Sequence, residues 1–149
     1  MFGRIIAVID GADASRPAVE TAAALAGQFG CELVGVFVVD GGWPDYIGND
    51  WQSAAGARQG FLDYIRSEQE AQAEAARAQF DAATQRLASA RFEVMAGDPT
   101  TVVTELAGDD ATGLLITSKR VFQVSGRPSL KGLARALSTK ATRPLLLLP

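Results

Sequence analysis

Five short apolar runs, separated by longer amphipathic segments, organise this chain of 149 residues. The runs cover residues 4–10, 33–39, 92–95, 113–117 and 145–148. The first two runs are continuously apolar over residues 5–9 and 33–39, which is typical of strands that are covered on both faces of a parallel sheet. The pattern predicts five strands in all.

Four helices are predicted between these strands. The first begins after a Ser15 cap, has Pro17 in its first turn and ends at Gly30. The second covers residues 61–87, the third follows Gly97-Asp98-Pro99, and the fourth covers residues 130–140. The second helix has heptad-like spacing, but its facing positions are mostly alanine or polar, which favours packing on a sheet over a coiled coil.

Strands that alternate with helices predict the α/β class. We expect one domain over residues 1–149, with an open doubly wound five-stranded parallel sheet, four helices on both faces and right-handed crossovers. Such sheets bind ligands beyond the carboxyl ends of their strands, where the winding reverses. The loops that follow Ile9, Val39, Met95 and Thr117 are therefore the candidate site.

The composition excludes several kinds of catalytic site. The chain contains no histidine, so a Ser-His-Asp triad, a histidine zinc site and a histidine-containing adenylyl-transfer motif are absent. The first loop, residues 10–15, lacks a Gly-x-Gly-x-x-Gly fingerprint, and residues 126–132 lack the Gly-Lys-Ser/Thr ending of a P-loop. The single Cys31 cannot form an internal disulfide and is assigned a structural role. We expect a protein that is not an enzyme.

Charge is divided unevenly along the chain. Of 14 basic and 17 acidic residues, seven basic and no acidic ones lie in residues 111–149. These basic side chains either form an anion site after the fourth strand or belong to solvated helix faces. The net charge of −3 argues against nucleic acid and anionic membranes as partners. With no long apolar run and no signal-peptide layout, a cytoplasmic location is expected.

Five segments of the chain form a recognisable series: residues 5–11 with Ser15, residues 30–40, residues 97–99, residues 114–120 and residues 141–148. Together they resemble the universal stress protein family. The order and spacing of these segments carry the resemblance, which spans nearly the whole chain. It implies a cytoplasmic, usually dimeric protein with the fold of the adenine nucleotide alpha hydrolases, in a family that includes ATP binders and non-binders.

The resemblance also assigns site residues. In ATP-binding members, an aspartate matched by Asp10 holds ribose, and backbone matched by Val38 pairs with the base. Their phosphates lie on a loop with the pattern Gly, two residues, Gly, nine residues, Gly, Ser/Thr. Here Ser118 and Val121 stand at the first two glycines, and Lys131-Gly132 stands at the Gly-Ser/Thr pair. Asp10 either binds ribose or caps the turn that follows it.

The absence of glycine at these positions argues against standard ATP binding, because glycine lets backbone N–H groups approach phosphate oxygens. Basic side chains could substitute through charge-assisted hydrogen bonds. The candidates are Lys119, Arg120, Arg127 and Lys131. Two hypotheses follow: a dimeric interaction module without ATP, or a protein that binds an adenine nucleotide, such as ATP, or another phosphorylated ligand through this altered basic loop.

Two further features bear on partners. The final apolar strand would be a bare sheet edge unless a second copy covered it, which predicts a homodimer through the C-terminal strand. The aromatic residues of the second loop, Trp43, Tyr46 and Trp51, either stack on a bound base or pack against neighbouring helices.

Overall fold

A computed structural model describes residues 3–51, 56–123 and 126–149. The strands are β1 (Arg4–Val8), β2 (Glu32–Asp40), β3 (Ala90–Gly97), β4 (Leu114–Ser118) and β5 (Leu145–Leu148). The helices are α1 (Arg16–Phe29), α2 (Trp43–Ile47), α3 (Ala57–Thr84), α4 (Pro99–Leu106) and α5 (Leu133–Lys140), with short 3-10 helices at Asp13–Ser15 and Pro128–Gly132. The predicted α/β class and the five-stranded parallel sheet are confirmed.

The sheet has the strand order β3-β2-β1-β4-β5, and every pair of neighbours is parallel. Winding therefore runs one way from β1 to β3 and the other way from β4 to β5. Helix α1 contacts α3, and α4 contacts α5. This is expected, because right-handed crossovers on the two sides of β1 place their helices on opposite faces of the sheet. The reversal lies between β1 and β4.

Local signals explain where these helices begin and end. Gly30 ends α1 in the left-handed conformation, with φ 65°. Asp98 caps α4 by accepting a hydrogen bond from the Thr101 N–H, and Pro99 occupies the first turn. Helix α3 packs on the sheet, with Phe80 buried against Phe92.

Several elements differ from the prediction, among them α3, which covers Ala57–Thr84 rather than residues 61–87. Strand β3 extends over Ala90–Gly97 because its whole length pairs with β2. The predicted helix 130–140 begins as a 3-10 turn, and its α-helical part starts only after Gly132. The second loop contains the five-residue helix α2, which is too short for a periodic pattern to reveal.

Candidate functional site

A cavity of about 270 Å³ lies at the carboxyl edge of the sheet, where the winding reverses. The strand ends form its floor, and the half of α3 that extends past the sheet forms one wall. Its lining residues are Asp10, Gly11, Ala12, Val38, Asp40, Trp43, Ile65, Glu68, Gln69, Ala71, Gln72, Ala75, Pro99, Phe122, Gly126 and Leu130. The cavity is where the strand pattern predicted a ligand site.

The α3 wall approaches the end of β1 closely because Gly11 has no side chain. A Cβ atom at Gly11 would lie 2.7 Å from the backbone nitrogen of Ala76, and the φ of Gly11 is +80°. The Gln79 amide of α3 also donates to the Ala12 carbonyl at 3.2 Å. These contacts fix α3 against the loop that carries Asp10.

Asp10 is 7% exposed, and both of its carboxylate oxygens accept hydrogen bonds from the chain. Its Oδ1 accepts from the Ser15 hydroxyl at 2.6 Å and from the Ala12 N–H at 3.0 Å. Its Oδ2 accepts from the Phe122 N–H at 2.8 Å, across 112 positions of sequence. Asp10 thus caps its own loop and also fastens the loop after β4 to β1.

The loop after β4 is folded so that its backbone donors point inward to acceptors of the chain. Val121 is 1% exposed, and Phe122 adopts a left-handed φ of 63° with its ring in a T-shaped contact with Phe37. Each backbone N–H from position 119 to position 123 has an acceptor. The donors are Lys119 (to the Leu148 carbonyl), Arg120 (to the Ser118 hydroxyl), Val121 (to the Ser118 carbonyl), Phe122 (to Asp10) and Gln123 (to the Arg120 carbonyl).

Arg127 lies between the loops that follow β2 and β3. Its Nε and Nη2 donate to the Asp40 carboxylate at 2.6 and 2.9 Å, and Nη2 also donates to Asp98 at 2.9 Å. The Arg127 and Asp40 side chains are 11% and 8% exposed. A Cβ atom at Gly42 would lie 2.7 Å from the Arg127 guanidinium carbon, so a larger residue there would require the guanidinium to shift. The guanidinium therefore joins three loops within the chain.

Charge pairing shifts the pKa values of this cluster. The hydrogen bond to Asp40 is the largest influence on the pKa of Arg127, which is raised. Burial alone would raise the pKa of Asp98, but hydrogen bonds from Thr101 and Arg127 outweigh it and hold that pKa below its ordinary value. Arg127 and Asp98 therefore remain charged at neutral pH.

The structure places only some of the predicted site residues at the cavity. Asp10 and Val38 line the cavity. Ser118 is buried beneath the loop, while Lys119, Arg120, Lys131 and Gly132 are exposed and outside the lining. Arg127 lies against the loops beside the cavity, paired with carboxylates. Their roles toward a ligand stay predictions.

The lining includes residues that sequence reasoning missed, above all Asp40, Glu68 and Gln69. Asp40 ends a buried strand, which is a signal comparable to that of Asp10. The helical spacing placed Gln69 on the inner face of α3 without indicating a site, and nothing local distinguishes Glu68 from Glu70. Only the overhang of α3 beyond the sheet places them at the cavity.

The three aromatic residues of the second loop differ in what they contact. The Trp43 ring lines the cavity and also packs against Phe61 of α3, with ring centroids 6.0 Å apart. Trp51 contacts Phe61 as well, and Tyr46 contacts Trp43 while remaining 53% exposed. Of the three, Trp43 is the one placed to contact a ligand.

Two features are absent from the part of the chain that the structure describes. None of its helices is long and apolar enough to cross a membrane. In the same residues, no group of three or more Cys, Asp or Glu side chains is arranged to hold a metal ion.

A family model described as "Universal stress protein family" matches residues 1–148. Among solved structures, a universal stress protein from Lactobacillus plantarum is similar with a TM-score of 0.69 and 17% identity, covering 99% of this chain and 98% of that one. A universal stress protein in complex with cAMP gives 0.65 and 16%, covering 99% and 97%. One from Archaeoglobus fulgidus in complex with dAMP gives 0.57 and 14%, covering 100% and 98%. No curated protein matches the chain. At these identities the structural likeness shows the fold.

Proposed function

Since this chain belongs to the universal stress protein family, we propose that it is a cytoplasmic, non-enzymatic stress-response regulator that acts as a homodimeric interaction module and does not bind ATP through a phosphate loop. The proposal goes beyond family membership, because the family includes proteins that bind a nucleotide and proteins that do not. It rests on the loop after β4.

One observation carries the proposal: the backbone N–H groups of the first part of the loop, residues 119–123, already donate to acceptors inside the chain. A phosphate cradle needs several free backbone N–H groups that converge on one anion. Here the five consecutive N–H groups of residues 119–123 all donate to protein acceptors. Arg127, the least exposed cation of this region, is neutralised by Asp40 and Asp98. A triphosphate would have to displace these partners.

A second candidate function is binding of an adenine nucleotide or another phosphorylated ligand through the basic loop. Lys119, Arg120 and Lys131 favour it, because they are exposed and form no ion pair with any residue that the structure describes. Solved relatives contain cAMP or dAMP. On this hypothesis the ligand would contact side chains rather than a backbone cradle.

Calorimetry with ATP separates the two candidates. Protein stripped of small molecules and titrated with ATP and Mg²⁺ should show no binding heat up to about 1 mM, because no free cradle offsets desolvation of the triphosphate. Micromolar affinity would contradict the proposal. It would support the basic loop if Lys119→Ala and Lys131→Ala weakened binding while Arg135→Ala, an exposed cation on α5, did not.

The dimer is proposed to form through β5, which lies at one edge of the sheet. Its four leucines are only partly buried, and an unpaired edge strand of this composition favours pairing with a second copy. Light scattering should give twice the mass of one chain at micromolar concentration.

A charge at this edge should separate the copies. Leu147→Lys is expected to shift the measured mass toward that of one chain, since lysine on an edge strand opposes pairing. The matched control is Val94→Lys on β3, the opposite edge, where Val94 is 48% exposed. A dimer that survives Leu147→Lys and dissociates with Val94→Lys would place the interface on β3.

A further inference from the structure

Both tryptophans and both tyrosines of the chain lie in one group of rings at α2 and the start of α3. Phe61 is at its centre, with its ring centroid 6.0 Å from that of Trp43, 5.9 Å from that of Trp51 and 6.5 Å from that of Tyr64. Tyr46 extends the group through a T-shaped contact with Trp43 at 5.7 Å. We call these five residues the aromatic cluster. Only Trp43 among them lines the cavity, so most of the cluster lies outside it.

Packing of α2 on α3 accounts for only part of the aromatic cluster. Trp43, Trp51 and Phe61 are partly buried and join the two segments. Tyr46 and Tyr64, in contrast, are 53% and 58% exposed, more than any other large hydrophobic side chain that the structure describes. Tyrosine and tryptophan are enriched at protein interfaces, because their rings combine a large apolar area with a polar group. The two exposed rings are therefore available to a partner.

An aspartate directly precedes three of the aromatic residues in the chain: Asp45-Tyr46, Asp50-Trp51 and Asp63-Tyr64. All three aspartates are exposed. Asp45 and Asp50 form no ion pair with any residue that the structure describes, and Asp63 has a 3.8 Å contact with Arg66 on the same helix. The exposed rings thus have carboxylates beside them, which attract cations and repel anions.

Arg58 of α3 holds this surface in place. Its Nε donates to the Gly48 carbonyl at 2.8 Å, and its Nη2 donates to the Pro44 carbonyl at 3.1 Å. These two bonds fix both ends of α2 on α3, and they direct the guanidinium to backbone carbonyls rather than to the aspartates. A surface that is ordered before binding loses little conformational entropy on association.

Aromatic rings beside carboxylates select a cationic partner. An arginine side chain stacks on an aromatic ring and donates two parallel hydrogen bonds to a carboxylate. Proline keeps a peptide extended, and its ring packs on exposed aromatic side chains. The same carboxylates oppose nucleic acid and anionic membranes, which carry negative charge. An extended peptide that contains arginine and proline therefore matches both the rings and the charges.

We propose that the aromatic cluster and its three aspartates bind an extended segment of a partner protein that is rich in arginine and proline. Arginine side chains stack on Tyr46 and Tyr64 and donate to the neighbouring Asp45 and Asp63. The inference rests on the proposed role as an interaction module, to which it adds a docking surface and a class of partner. It uses neither the cavity nor the loop after β4.

The probe is a fluorescein-labelled peptide of about six Arg-Pro repeats, which is titrated with the full chain and followed by fluorescence anisotropy. We expect saturable binding, and no binding of a Glu-Pro repeat peptide of the same length. Tyr46→Ala and Tyr64→Ala should each weaken binding about two- to fivefold, as expected for a cation–π contact at an exposed site. Both side chains are more than half exposed, so the variants should stay folded. Phe29→Ala on α1, where the ring is 39% exposed, is the matched control and should leave the affinity unchanged.

Charge is tested separately from the rings. Asp45→Asn should weaken binding of the Arg-Pro peptide severalfold and reduce its dependence on salt. Asp81→Asn should do neither, because this exposed aspartate lies about five turns beyond Asp63 along α3. Equal affinity in the wild-type protein and both tyrosine variants would overturn the proposal, since binding would then depend on net charge alone. A lower mass of the tyrosine variants by light scattering would assign the surface to a second copy and would overturn the partner class.

Two other outcomes distinguish this inference from the proposed function. If the Arg-Pro peptide does not bind to a protein that is dimeric and gives no binding heat with ATP, the docking surface is wrong and the proposed function stands. If the peptide binds as expected and ATP also binds with micromolar affinity, the docking surface stands and the proposed absence of ATP binding is wrong.

Discussion

Replacing Arg127 by alanine should lower the free energy of unfolding by about 3 kcal/mol, because it leaves a buried carboxylate without its cation. The Asp40 side chain is 8% exposed, and the two nitrogen–oxygen contacts that it loses are 2.6 and 2.9 Å long. Arg127 also holds Asp98, so its removal releases the loops after β2 and β3 together. Urea unfolding followed by circular dichroism measures the loss.

Two variants serve as controls for this prediction. Lys131→Ala removes an exposed cation four positions away and should change stability by less than about 0.5 kcal/mol. Adding Asp40→Asn to Arg127→Ala should recover part of the loss, because the uncompensated charge disappears with it. A loss below about 1 kcal/mol for Arg127→Ala would show that Asp40 is adequately solvated without the arginine.

Replacing Asp10 by alanine should cost about 3 kcal/mol, since three hydrogen-bond donors then lose their acceptor. The donors are the Ser15 hydroxyl, the Ala12 N–H and the Phe122 N–H. The last of these is the most costly, because Phe122 is 7% exposed and is held in a left-handed conformation. The measurement is again the free energy of unfolding in urea.

Asp10→Asn and Asp13→Ala complete this comparison. Asparagine keeps one acceptor oxygen, so it should be less destabilising than alanine. Asp13 lies in the same loop with a fully exposed side chain, and its replacement should change stability by less than about 0.5 kcal/mol. Equal stability of wild-type protein and Asp10→Ala would mean that the Phe122 N–H finds water or another acceptor, and the fastening of the two loops would be disproved.

The prediction of the fold succeeded where local chemistry is decisive. Uninterrupted apolar runs such as Ile5–Ile9 have no polar face to turn toward solvent, so they indicate strands covered on both sides. Gly30 ends a helix because it adopts the left-handed conformation at low cost, and Asp98 with Pro99 begins one. The sequence did not predict helix α2, because no local pattern indicates it. Contacts of Trp43 with α3 stabilise this helix.

The prediction of the site was limited by long-range pairing. The basic residues after β4 indicated either an anion site or solvated surfaces, and Lys119, Arg120 and Lys131 are exposed. Arg127 differs from them only in its tertiary partners, Asp40 at 87 positions of separation and Asp98 at 29. The charge of a loop can be counted along the sequence, but the part of it that is neutralised depends on which strands become neighbours.

The sequence alone determined the order of strands and helices and the edge of the sheet at which the cavity lies. These properties depend on residues that are adjacent or one helical turn apart, and the interactions that encode them are local. Tertiary structure decided the rest. It brought Asp10 to the Phe122 N–H, Arg127 to Asp40 and the overhanging part of α3 to the cavity. Hydrogen bonds and ion pairs act over a few ångströms, so their partners are fixed only when strand order and register bring distant segments together.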